Sequence, residues 1–64
     1  KMDLITRDWV EMKFKGLMQR GFTVCYGMKQ YRLLENFATD QGYKIEALGF
    51  MNGRQVTAKL VISE

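Results

Sequence analysis

The stretch Asp8-Trp9-Val10-Glu11-Met12-Lys13-Phe14-Lys15-Gly16-Leu17-Met18-Gln19-Arg20-Gly21 can be read with two periods, and the fold depends on which one holds. At helical spacing, Asp8 to Glu11 has the form of a capping box, and Val10, Phe14, Leu17 and Met18 make one apolar stripe. At strand spacing, Val10, Met12 and Phe14 alternate with Glu11, Lys13 and Lys15, while Gln19-Arg20-Gly21 suits a three-residue hairpin turn with a glycine bulge. That turn pairs Met18 with Phe22, Gly16 with Val24 and Phe14 with Tyr26. Every apolar partner then falls on one face, with Lys15 and Cys25 on the other. This mutual agreement selects strands.

Working outward, Asn52-Gly53 sits between two runs rich in Ile, Val, Leu and Phe, a strong signal for a hairpin with a type I′ turn. A two-residue loop pairs Met51 with Arg54, Gly49 with Val56, Ala47 with Ala58, Ile45 with Leu60 and Tyr43 with Ile62. On the opposite face it sets Glu46 against Lys59, an opposite-charge pair that supports the register. Between the hairpins, Tyr31, Leu34, Phe37 and Ala38 recur at helical spacing, Gly27 opens the helix and Gly42 ends it.

The expected fold class is therefore α+β: a four-stranded antiparallel sheet, made of two β-hairpins, packed on one α-helix in the order ββαββ. Its core is Phe14, Phe22, Val24, Leu34, Phe37, Ile45, Val56 and Leu60. The alternative is αβαββ, with a first helix at 8–20. Sixty-four residues are read as one small α+β domain, 1–64. Beginning at Lys1, the chain is expected to be a trimmed piece, so missing motifs weigh less.

Composition narrows the chemistry. One cysteine excludes an internal disulfide, and with no histidine a four-ligand zinc site cannot be built from this chain. Neither a metal nor another cofactor is expected. No apolar run approaches the roughly 20 residues of a membrane span, so a cytoplasmic, reducing setting is expected, with no membrane partner. Cys25 lacks a histidine to activate it, the seven acids are scattered without ligand spacing, and no glycine run cradles a phosphate. The expectation is a protein that is not an enzyme.

What remains is the sheet face away from the helix. The expected registers gather Lys13, Lys15, Lys44 and Lys59 there with Leu17, Leu48, Phe50 and Val61, against Glu11 and Glu46. Bases interleaved with an aromatic suit a nucleic-acid backbone with stacked bases, Phe50 being the stacking residue and Arg54 an accessory contact from the hairpin tip. The expected function is nucleic-acid binding, to DNA or RNA, single-stranded or without strong sequence choice. The alternative is a protein-interaction module, an inhibitor or accessory factor on a larger protein complex. That module would use Trp9, Leu17, Leu48, Phe50 and Val61, and form a homodimer by edge-strand pairing.

Overall fold

The computed structural model describes the backbone of residues 4–51 and 55–61 and the side chains of residues 6–49 and 55–61. Among them the elements are α1 (Leu4–Arg20), β1 (Phe22–Tyr26), α2 (Met28–Asp40), β2 (Lys44–Met51) and β3 (Gln55–Val61). This overturns the four-stranded, one-helix reading. Residues 8–20 are helical, the sheet has three strands, and the element order is that of the alternative, with the helix reaching back to Leu4.

The helix follows from what the strand reading ignored. Of the thirteen residues 8–20, eight (Glu11, Met12, Lys13, Lys15, Leu17, Met18, Gln19 and Arg20) are strong helix formers. Met12 and Met18 carried much of the apparent alternation, yet they are exposed, Met12 at 61%, while Val10 and Leu17 are fully buried. Asp8 lies inside the helix rather than at its cap, and Glu11 pairs with Arg7 at 3.4 Å across one exposed turn. Gly21, expected to bulge a hairpin, ends α1 instead. Its φ of 86° is a left-handed conformation, and its N–H donates to the Leu17 carbonyl at 2.7 Å.

Gly16 lies within α1, where glycine is less favourable than alanine by about 0.8–1 kcal/mol. A Cβ there would sit 2.8 Å from Nη2 of Arg20, the free end of a flexible side chain that can swing away. Gly16→Ala is expected to stabilise the protein by about 0.5 kcal/mol, the helix gain less what Arg20 loses on moving. Urea denaturation measures it, and a loss of stability would contradict the helical placement.

The strand order is β1-β3-β2, with both outer strands antiparallel to β3 and hence parallel to each other. A parallel pair needs a crossover, which α2 supplies, and β3 fills the gap between them. In β2 and β3 the pairs Ile45–Leu60, Glu46–Lys59 and Ala47–Ala58 form as the hairpin reading expects. Beyond Leu48 the register shifts, so that Met51 faces Gln55 rather than Arg54, and Gly49 is not paired with Val56. The Asn52-Gly53 turn and the Tyr43–Ile62 pair fall on or against residues outside those described.

Helix α2 buries Tyr31, Leu34 and Ala38. Its end is stapled by two bonds, from Gly42 N–H to the Thr39 carbonyl at 3.0 Å and from Tyr43 N–H to the Ala38 carbonyl at 2.8 Å. That pattern needs a left-handed residue, met by Gly42 at φ 88°. Tyr43 then folds onto Phe14, centroids 5.8 Å apart, and Phe14 meets Phe37 edge-on at 5.2 Å. The three rings tie α1 to α2.

Both helices cover one face of the sheet, the side of Thr23, Cys25, Ile45, Val56 and Ala58. Thr23, Ala58 and Ala47 form a row of small side chains across the three strands. The fully buried Leu17 and Leu34 belong to the same core cluster as Ala58 and are among its largest side chains. Two members of the expected core are displaced: Phe22 is exposed and Val24 half-buried, both on the far face, while Cys25 turns inward. Strand β1 takes its facing from β3, and a strand apolar at both sets of alternate positions carries no local signal of which set goes inside.

Candidate nucleic-acid interface

The uncovered face is built by strand alternation. Phe22, Val24 and Tyr26 come from β1, Gln55, Thr57, Lys59 and Val61 from β3, and Lys44, Glu46 and Leu48 from β2. Phe22 is 46% exposed, Tyr26 60% and Leu48 42%. Three large apolar groups thus lie on one side of a small sheet, two of them rings on the same strand. An apolar concavity of about 460 Å³ lies beside Phe22, Leu48, Thr57, Lys59 and Leu60, with Arg20 along it.

Cations attend both rings. The Arg20 guanidinium stands 5.7 Å from the Phe22 centroid, and Lys13 Nζ stands 6.0 Å from that of Tyr26 and 5.8 Å from that of Trp9. Lys44 and Lys59 are exposed on the neighbouring strands, where Glu46 lies opposite Lys59. Among the described residues, the face and its β1 edge hold four cations against that one carboxylate.

The β1 edge is also partly closed to further strands. The Leu60 N–H donates to the Gly21 carbonyl at 2.9 Å, so alternation turns the backbone groups of Phe22, Val24 and Tyr26 outward. Lys13 Nζ donates to the Val24 carbonyl at 2.8 Å, and the Tyr26 N–H donates to Gln30 Oε1 at 2.8 Å. A lysine laid along an edge strand discourages pairing with another chain.

Several expected site residues are relocated. Lys13 and Lys15 belong to α1 rather than to the sheet: Lys13 reaches the β1 edge, and Lys15 is exposed on the helix. Leu17, expected on the open face, is fully buried in the core, because a helical stripe through Val10 carries it inward. Trp9 is half-buried and packs against the core. Lys44, Lys59, Leu48 and Val61 do share the uncovered face. The Phe50 side chain and Arg54 lie outside the described residues. Phe22 and Tyr26 were missed because the hairpin reading turned them inward. Their signal, an aromatic at each end of Phe22-Thr23-Val24-Cys25-Tyr26, becomes legible only once β3 sets the face.

Beneath this surface lie two titratable groups shifted by burial. The Cys25 thiol is pushed above its ordinary value by desolvation, with Lys13 pulling weakly the other way, so it is protonated and shielded at neutral pH. Tyr31 is raised by desolvation, then by the charges of Glu35, Cys25 and Glu46, and its hydroxyl donates to the Ile45 carbonyl at 3.4 Å. Both groups are neutral when protonated and have folded values above unfolded ones. Their contribution is therefore intact below the unfolded values, 9.0 and 10.0, and is lost as pH rises through the folded values. Urea midpoints are expected to fall from about pH 9 upward, and less steeply in Tyr31→Phe. An equal fall in that variant would remove Tyr31 from the explanation.

Among the described residues, no helix is long and apolar enough to cross a membrane, and no group of three or more Cys, Asp or Glu side chains converges to hold a metal ion. No family model, no curated protein and no solved structure matches the chain.

Proposed function

We propose that the uncovered sheet face binds single-stranded nucleic acid, DNA or RNA, without catalysing a reaction. Phe22 and Tyr26 serve as base-stacking platforms, and Lys44 and Lys59 neutralise phosphates. Lys13 and Arg20 add positive charge along the β1 edge. The observation that carries this reading is the pair of exposed rings on one strand, each attended by a cation, on a face with a single described carboxylate. Ring-and-base surfaces of this kind bind strands with little sequence preference, since every base presents a π-face. Phe50, read from the sequence as the stacking residue, and Arg54, read as an accessory contact, lie with their side chains outside the described residues.

Binding of a labelled oligonucleotide, followed by fluorescence anisotropy, tests this. Four cations on single-stranded phosphates should give a log–log slope of affinity against salt near −3. A slope near zero would reject the phosphate contacts.

The apolar concavity between Phe22 and Leu48 favours a second reading, in which the same face docks a larger protein complex. Binding carried by Phe22, Leu48 and Val61 would respond little to salt, which separates the two. A homodimer formed by edge pairing would use β2, since Lys13 and Gln30 already occupy part of the β1 edge. Sedimentation showing a monomer at all working concentrations would exclude it.

A further inference from the structure

On the helix side of the β1 edge lies a groove of about 330 Å³, lined by Lys13, Lys15, Gly16, Gln19, Arg20 and Thr23, with the apolar Met12 completing it. Three of these side chains are cations, and no acid is among them. Thr23 is the unusual member. It is 2% exposed, the one polar residue buried among the described residues, and its hydroxyl has no hydrogen-bond partner there. Fully sealing an unpartnered hydroxyl would cost about 1–3 kcal/mol. No described side-chain oxygen is in that state, so Oγ1 keeps an opening, and Thr23 is among the residues that line the groove.

The cations are placed to use that opening. Lys13 donates one hydrogen bond to the Val24 carbonyl, and its ammonium has two further N–H groups to donate. Arg20 folds back over α1, its Nη2 2.8 Å from where a Cβ at position 16 would sit, so the glycine lets the guanidinium lie close against the helix. The C-terminal end of α1 opposes an anion with roughly half an elementary charge, against three full positive charges in the groove. The balance favours an anion. Phosphate matches a guanidinium and ammonium groups with a hydroxyl and an amide around them, and it takes charge-assisted hydrogen bonds from all of these.

We propose that this groove is a binding site for the dianionic phosphate group of a small phosphomonoester. Lys13, Lys15 and Arg20 hold the charge, and Thr23 Oγ1 and the Gln19 amide donate to its oxygens. The volume is of the size that holds a small ligand, which leaves room for the esterified group beside Met12. The site shares Lys13 and Arg20 with the β1 edge of the sheet face but does not require that face to bind nucleic acid.

The test is an amide chemical-shift titration of the whole chain with inorganic phosphate and with glycerol 3-phosphate, against chloride at equal ionic strength and against glycerol. Saturable shifts at Gly16, Gln19, Arg20 and Thr23 with both phosphates are expected, and none with chloride or glycerol; tighter binding of the ester identifies the phosphomonoester as the ligand class. Thr23→Val, which removes an unpartnered hydroxyl and should leave the fold intact, is expected to weaken phosphate about tenfold. Gly16→Ala should weaken it several-fold while raising stability, opposite directions that a purely structural role would not produce. Lys44→Gln, on the opposite edge strand and away from the groove, should weaken oligonucleotide binding and leave phosphate binding unchanged, which separates the groove from the sheet face. Phosphate shifts no larger than those of chloride, or full affinity retained in both Thr23→Val and Gly16→Ala, would overturn the site.

Discussion

Leu17→Ala is expected to lower the melting temperature by about 15 °C, the equivalent of about 3 kcal/mol in a domain of this size. Leu17 is fully buried in the core cluster, so removing its side chain leaves a cavity among close-packed neighbours. A chain of 64 residues has a total stability of only about 3–10 kcal/mol, so the variant sits near the edge of folding. Leu48→Ala is the control: the same chemical change on the uncovered face should cost about 0.5 kcal/mol or less. Thermal denaturation of the two variants side by side decides the matter. A four-stranded sheet would place both leucines on the open face and make the two effects equal, so a mild Leu17→Ala would reinstate that architecture.

The second large effect concerns binding. Each base stacked on an aromatic contributes about 1–3 kcal/mol, so removing both rings in Phe22→Ala/Tyr26→Ala should weaken oligonucleotide binding about 100-fold. Both rings stand largely outside the core, and the accompanying loss of stability should stay near 1 kcal/mol, mostly from weaker strand propensity. Anisotropy at fixed salt reads the affinity, and circular dichroism shows whether the fold persists. Unchanged affinity in a folded double variant would end the nucleic-acid reading. A complementary result, loss of a protein partner with no effect on oligonucleotides, would transfer the same rings to the second reading.

Much of the C-terminal half was legible residue by residue. Tyr31, Leu34 and Ala38 lie at a spacing that only a helix brings to one side, and Gly42 followed by Tyr43 marks where that helix stops. Glu46 and Lys59 meet because the strand segments around them have a single register that keeps Ile45, Val56 and Ala58 together on the inner face. These are contacts between residues close along the chain, or tied by a short hairpin, so the pattern itself contains the answer. The candidate site was legible only in part. Lys44, Lys59 and Leu48 followed from the hairpin, whereas Lys13 and Lys15 were assigned to strands and reach their positions from a helix instead.

The residues around Asp8–Gly21 show the limit. Val10 and Phe14 belong to the apolar set at either period, so the pattern alone does not separate helix from strand. Helix propensity, summed over Glu11 to Arg20, was the available signal and points the right way. The facing of β1 had no such signal, because Phe22, Val24 and Tyr26 are as apolar as Thr23 and Cys25.

The sequence by itself determined helix α2, the pairing of β2 with β3 as far as Leu48, and a net positive charge of +3 without histidine chemistry. Only the tertiary structure decided that β1 lies against β3, that Cys25 meets Val56 across thirty intervening residues, and that two rings therefore face outward. The physical reason is that a non-local strand pair is chosen by the whole packed core, here two helices over one sheet face, and that choice leaves no mark on the segment it orients.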